Sequence, residues 1–378
     1  MTEKADIQAG EDLGQKVSLV RLLRTTSKVG GSDLHLKADE SPRIRLKGVL
    51  QIMKVPPLSS DDIESLLMPL LSEEHKERFV RTGSVDFAAD VAGADRYRIN
   101  LFKQRGKTGM VARRVNRNIP LFEKLNLPPA LLKIADFPDG LVLLAGATGS
   151  GKSTTIASII QRINEHRSCH IVTIEDPIEY VYTDAKSLIN QREIGIDVPQ
   201  FDLALKALMR QDPDVVLIGE MRDRETFAAA IQAAQTGHLV FSTIHANSAA
   251  QTISRILDLF PPDQRANVRQ NLVFTLRVII CQMLLPGCQA EHPRVPSCEI
   301  MFSNPSVRRS IGESKDENLK TIIRSCKNEG MQDFTESLRS LVDKQLITHE
   351  TAYEYAPNIE ELKMRLKGIE FKDSAMLS

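Results

Sequence analysis

Charge imbalance, paired cysteines and long apolar runs are all missing from this sequence. Lys plus Arg and Asp plus Glu both number 49, so the formal net charge is zero and bulk electrostatics offer nothing to nucleic acid or to an acidic lipid surface. The cysteines, Cys169, Cys281, Cys288, Cys298 and Cys326, contain no C-x-x-C pair, which excludes the usual zinc clasp and a disulfide framework and leaves reduced structural thiols. No apolar run approaches the ~20 residues needed to span a bilayer. The first fifteen residues, MTEKADIQAGEDLGQ, carry acidic side chains and no apolar signal core. A cytosolic protein is expected, with docking on a membrane complex left open.

What is present begins with size. A chain of 378 residues, 42% apolar and 26% charged, is a soluble globular protein too long for one ordinary core, so two domains and a helical appendage are expected. The stretch around which the rest is organised is LVLLAGATGSGKS, residues 141–153. Gly146, Gly151, Lys152 and Ser153 satisfy the G-x-x-x-x-G-K-[ST] pattern, between an apolar strand (Leu141 to Ala145) and a helix (Lys152 to Glu165) with Ile156, Ile159, Ile160 and Ile163 on one face. Such a loop turns successive N–H groups towards the phosphates of a nucleotide, with Lys152 as a point charge and Ser153 as a Mg²⁺ ligand. The contacting residues are Gly146, Ala147, Thr148, Gly149, Ser150, Gly151, Lys152, Ser153 and Thr154.

Before the loop, Leu13 to Val29 has helical spacing and stops at Gly30-Gly31. Alternating Leu34 and Leu36 predict a strand, and Arg43 to Leu46 with Val49 to Met53 a hairpin across Lys47-Gly48. Ser59 or Ser60 caps a helix through Leu71, and Ser72 a second one to about Val80. Three strand-like pieces follow at 84–90, 96–102 and 108–115, completing an α+β domain over residues 1–115. His35, between two strand leucines, reads as structural. Arg96, Arg98, Arg113 and Arg114 fit a solvated strand face or, in an ATPase that assembles as a ring, the nearest supply of cations for a nucleotide held by a neighbouring copy.

Residues 116–140 carry Pro120, Pro128, Pro129 and Pro138 and read as a linker with one short helix. From 141 to 285 strands alternate with helices, which argues an α/β core with a mostly parallel sheet. A helix is expected near 264–284, and residues 286–378 are expected to be helical, with helices near 319–326, 335–344 and 359–366. Three further clusters end strands of the core. HIVTIEDPIEY (170–180) delivers Glu175, Asp176 and Glu179, DPDVVLIGEMRD (212–223) ends at Glu220, and TGHLVFSTIHANSA (236–249) brackets a strand with His238 and His245. An acidic residue at the position of Glu220 suits Mg²⁺ and an attacking water, while spacing alone does not choose between Glu175 and Glu179.

GATGSGKS, IEDPIEY, DPDVVLIGEMRD and TGHLVFSTIHANSA in that order resemble the Walker A, Asp, Walker B and His boxes of the secretion ATPase superfamily. Within it the chain is most similar to the type IV pilus retraction ATPases of the PilT/PilU type, through SDLHL and PRIRLKG (32–48), RYRIN (96–100) and GMQDF (330–334). That resemblance implies a RecA-like P-loop ATPase core, a PAS-like N-terminal α+β domain and ATP bound with Mg²⁺ between the two. It implies Glu179 as the residue polarising the attacking water, Glu220 as the Walker B glutamate, and His238 and His245 as sensors of the γ-phosphate. Arg98 and Arg113 become the arginines presented to nucleotide, and Ser153 and Glu220 the metal residues.

The implied partners are five further copies in a homo-hexamer, an inner-membrane pilus platform protein and a paralogous pilus ATPase, with no nucleic acid and no membrane insertion. Extension and type II secretion ATPases usually carry a further N-terminal domain and a four-cysteine zinc insertion, whereas this chain starts almost at SDLHL without paired cysteines. The expectation is therefore a cytoplasmic motor at the inner membrane that retracts pili. An extension or secretion ATPase, a nucleic-acid translocase on the same core and a structural subunit with little turnover are the alternatives.

Overall fold

The computed structural model describes residues 17–46, 48–115 and 118–369. The expected helix start at Leu13, Lys47 of the hairpin turn and Asn116 at the head of the linker lie outside the described residues. The chain divides into two compact units, one reaching to Asn118 and including Glu179–Val181, the other formed by Ile119–Ile178 and Tyr182 onward.

In the first unit, α1 (Leu19–Lys28) starts at Ser18, whose hydroxyl accepts from the Arg21 N–H, and buries Leu19, Leu22 and Leu23. Strands β1 (Asp33–Lys37), β2 (Arg43–Leu46) and β3 (Val49–Ile52) follow. Next come α2 (Ser60–Leu67), which opens with a reciprocal capping box between Ser59 and Asp62, and α3 (Glu73–Thr82), capped by Ser72. Strands β4 (Ser84–Asp90), β5 (Arg96–Gln104) and β6 (Lys107–Val115) complete an antiparallel sheet in the order β3-β2-β1-β6-β5-β4. The two-residue period separates its faces. Leu34, Leu36, Ile44, Tyr97, Ile99, Leu101, Met110 and Ala112 are buried in one core with the helices, and Asp33, His35, Arg43, Arg45, Arg98 and Arg113 alternate with them on the other face.

The second unit is built on strands β7 (Gly140–Ala145), β8 (His170–Glu175), β9 (Leu188–Glu193), β10 (Val215–Glu220), β11 (Leu239–Ile244), β12 (Leu276–Gln289) and β13 (His292–Phe302). Their order is β13-β12-β7-β11-β10-β8-β9, parallel except for β13, which runs antiparallel to β12 at the edge. Helices α4 (Lys152–His166), α5 (Phe201–Leu208), α6 (Arg224–Gln235), α7 (Ala249–Asp258) and α8 (Pro262–Thr275) connect them. Each face of the sheet has its own core: Leu141 and Leu143 point into one, Val142 and Leu144 into the other. That double burial is why β7 reads as unbroken apolar sequence. The linker contributes two 3₁₀ turns, Phe122–Lys124 and Pro129–Asp136, rather than one helix.

The expected helix at 264–284 ends at Thr275, and residues 276–289 are β12. Val278, Ile279 and Ile280 are β-branched, stiff at χ1 and buried between two cores, an environment that favours a central strand. The region from 286, expected to be helical, therefore opens with the end of β12 and all of β13. Beyond it stand α9 (Pro305–Gly312), α10 (Leu319–Ser325), α11 (Phe334–Asp343), α12 (His349–Tyr355) and α13 (Ile359–Leu366). The last three pack on Leu285 and Val295 of the β12–β13 ribbon through Leu338, Leu341, Ala352 and Leu362. Among the described residues no helix is long and apolar enough to cross a membrane.

Candidate active site

β7 delivers the chain into the phosphate-binding loop at Gly146, whose N–H bonds to the Ile244 carbonyl of β11 at 3.2 Å. Ala147, Thr148 and Gly149 are exposed and Ser150 is buried again. Two of the motif glycines are demanded by close approach: a Cβ on Gly146 would stand 2.4 Å from the Gln282 carbonyl oxygen, and one on Gly151 2.8 Å from the Gln282 side-chain nitrogen. Both also have positive φ, 150° and 89°. Gly151 is the N-cap of α4 and offers no side chain to its first turn, so the N–H groups there are left to an anion. The Lys152 ammonium lies back over the loop, donating to the carbonyls of Gly146 (2.8 Å) and Ala147 (2.9 Å). An uncapped positive helix end with an ammonium over the loop fits a nucleotide phosphate.

Glu220 closes β10. The register of β10 against β11 slips between Ile218 and Glu220, and the Gly219 carbonyl accepts from the Thr243 hydroxyl at 2.9 Å. A slip of this kind re-aims the side chain that follows it. One carboxylate oxygen of Glu220 accepts from Arg222 at 2.7 Å and the other lies 2.9 Å from Nε2 of His245. The bonded Arg222 guanidinium holds the Glu220 carboxyl below the usual carboxylate range against the opposing effect of partial burial. Charge from Arg222, His245 and Lys152 adds in the same direction. An ionised oxygen ligand at a strand end fits Mg²⁺, as does the Ser153 hydroxyl in the first turn of α4.

Glu175 is buried and accepts from the Thr173 hydroxyl at 2.7 Å and the Gln191 amide at 3.1 Å, so its carboxylate is engaged within the sheet. Glu179 is exposed on the 179–181 segment that divides with the first unit. Arg98 and Arg113 belong to that unit too and are direct cross-strand partners on β5 and β6. Arg113 donates to Asp33 at 2.8 Å. Burial alone would raise the pKa of Asp33, but the bonds from Arg113 and Ser32 outweigh it and hold the carboxyl below its ordinary value. Burial lowers the pKa of His35, and its buried Nε2 has no hydrogen-bond partner.

His238 is the expected site residue that the second unit does not bring to the loop. It precedes β11, whose six residues run parallel to β7 from Gly140 to Ala145, and its carbonyl accepts from Gly140 at the entry to β7. The loop leaves the other end of that strand, about 20 Å away at ~3.3 Å per residue. Nδ1 of His238 donates to the Ala233 carbonyl at 2.8 Å, so the ring caps the end of α6. Gln282, Thr155 and Arg222 were not foreseen. The available signal was polarity out of place, since Gln282 interrupts the apolar run LRVIICQMLL and a buried polar group demands partners.

Comparison with known proteins places the chain in a family. The family model described as Type II/IV secretion system protein matches residues 121–362. The type IV pilus retraction ATPase PilT of Pseudomonas aeruginosa is 39% identical over 340 residues, 90% of this chain and 98% of that protein. The type IV pilus ATPase PilU of the same organism is 36% identical over 347 residues, 92% of this chain and 91% of that protein. Among solved structures, the pilus retraction motor PilT with bound ADP is 42% identical, with a TM-score of 0.85 and coverage of 92% of this chain and 99% of that one.

Proposed function

This chain belongs to the type II/IV secretion system protein family and is an ATPase, and we propose that it is the motor that retracts a type IV pilus. The observation that carries this reading is similarity over nearly the whole length of the retraction ATPase PilT, joined to a phosphate-binding loop with Glu220 and His245 at neighbouring strand ends. In this proposal the first-turn N–H groups of α4 and Lys152 hold the ATP phosphates. Ser153 and Glu220 hold Mg²⁺, which when bound supplies positive charge to the phosphoryl oxygens. Glu179 orients water, His245 positions the Glu220 carboxylate, and Arg98 and Arg113 supply cations to the transferring phosphoryl group. His238, engaged with the end of α6, is not part of this assignment.

The working assembly is proposed to be a homo-hexamer in the cytoplasm, docked on an inner-membrane platform protein and acting alongside a paralogous pilus ATPase. In the bacterium, a strain lacking this chain is expected to carry abundant surface pili and to lose twitching movement. The wild-type gene restores movement and Lys152→Ala does not. A bald deletion strain would overturn retraction in favour of pilus extension.

A further inference from the structure

We infer that Gln282, on β12 and outside every motif of the chain, is the positioning residue of the phosphate-binding loop. Its carboxamide sits between the two ends of the phosphate-facing segment. The nitrogen donates to the Ser150 carbonyl at 2.7 Å, and the oxygen accepts from the Thr155 hydroxyl at 2.8 Å. Between those anchors lie Gly151, Lys152, Ser153 and Thr154. Gln282, Thr155 and Ser150 are only 2%, 2% and 6% exposed, so water does not stand in for a missing partner.

The chemistry of the position is narrow. Ser150 presents an acceptor and Thr155 a donor, and a carboxamide answers both with atoms of one planar group. An ionised glutamate has no donor for Ser150, methionine of similar length has neither function, and asparagine is shorter by a methylene. The same side chain explains Gly151, because any Cβ there would stand 2.8 Å from the Gln282 nitrogen. On its far side the Gln282 oxygen lies 4.0 Å from the thiol of Cys298, the residue opposite it on β13. Burial pushes that thiol up to about 12, so it stays protonated and donates. The loop is thus braced through β12 from the β13 edge of the sheet, by one residue that lies 127 positions from Thr155 and 132 from Ser150 in sequence. Without the brace the loop would sample geometries in which its N–H groups diverge, and nucleotide would be bound only by the fraction that is correctly formed.

This inference rests on the loop being a nucleotide site, which the wild-type protein reports independently in the same experiment. The full chain as wild type, Gln282→Met, Gln282→Glu, Thr155→Val and the Gln282→Met/Thr155→Val double variant is titrated with a fluorescent ADP analogue. Nucleotide-free Tm and steady-state KM and kcat for ATP are measured alongside. Loss of two buried hydrogen bonds predicts affinity weaker by about tenfold or more in Gln282→Met, and weaker still in Gln282→Glu. KM for ATP should rise in step while kcat at saturation changes by less than about threefold, the mark of lost ground-state positioning rather than of a damaged core. The double variant should be no more than about twofold weaker than Gln282→Met, because both changes cut one brace. Gln282→Met with affinity within about twofold of wild type, or single effects that simply add, would overturn the inference. Should Gln282→Met fail to fold, Thr155→Val carries the test: affinity weakened about threefold or more is expected, and wild-type affinity overturns it. A wild-type chain that does not bind the analogue would instead defeat the nucleotide site itself.

Discussion

Glu220 has both carboxylate oxygens occupied, by Arg222 and by His245, while Lys152 lies on the carbonyls of its own loop. These residues therefore separate binding from turnover. Lys152→Ala removes the point charge over the phosphates and should abolish measurable ATP binding and hydrolysis. Glu220→Gln keeps the size and hydrogen-bonding reach of the side chain but not its charge. It should retain nucleotide binding while lowering kcat by about 10²-fold or more, because a metal ion held on the phosphoryl oxygens contributes several kcal/mol of charge stabilisation. Equal kcat in Glu220→Gln and wild type would remove Glu220 from the chemistry. In the first unit, Arg113 both pairs with the buried Asp33 and is proposed to act on nucleotide, so its truncation mixes two effects. The Asp33 pair is separable by pH. Its carboxyl is depressed below 3.8 in the folded state. The stability it adds is therefore fully present above that value and is lost as pH falls through the lower folded pKa. Asp33→Asn should be less stable than wild type at neutral pH, with the difference narrowing as acid denaturation is followed below about pH 4 by circular dichroism. A difference that stays constant down to pH 2 would count against the ion pair.

Among elements, the strand β7, the loop and α4 are legible because each carries a local signal: double burial makes the strand continuously apolar, and the glycines and Lys-Ser pair are fixed by phosphate geometry. The helices capped by Ser59 and Ser72 are legible for the same reason, their caps being neighbours in sequence. β12 was not, because an apolar run such as LRVIICQMLL after a helix fits either a buried strand or a longer buried helix, and only pairing with β7 and β13 decides. β9, LINQRE, has no apolar alternation at all; as an edge strand, it is defined by its ladder with β8. The site follows the same division. Glu220 and His245 end adjacent strands and could be named from their motifs, whereas His238 shares a motif with His245 but lies at the opposite end of β11. Gln282 matters only once β12 lies beside the loop. The strand assignment has a direct consequence for stability. Ile280 is fully buried in the β7–β12 core, so Ile280→Ala should cost about 2–5 kcal/mol in urea denaturation. Phe274, on the preceding helix and 71% exposed, should tolerate alanine within about 0.5 kcal/mol. Similar losses at the two positions would contradict a central strand at 276–289.

For the whole molecule, equal numbers of cationic and anionic residues leave no long-range field to draw in a polyanion, yet a local concentration of cations exists on the sheet face carrying Arg43, Arg45, Arg98 and Arg113. That face is not an open basic surface. Arg113 and Arg45 lie 2.8 and 3.5 Å from the carboxylate of Asp33, and Arg43 lies 3.1 Å from Glu40. A nucleic-acid phosphate would have to displace carboxylates already in place, and the counterion release that drives such binding would be largely forfeited. A translocase on a RecA-like core, by contrast, needs turnover coupled to its track. The steady-state ATPase rate of the purified chain should therefore change by less than about twofold when single- or double-stranded DNA is added at 50 mM salt, where phosphate contacts are strongest. Stimulation of ten times or more, fading as salt is raised to 200 mM, would restore the translocase reading and turn the arginine face into its track.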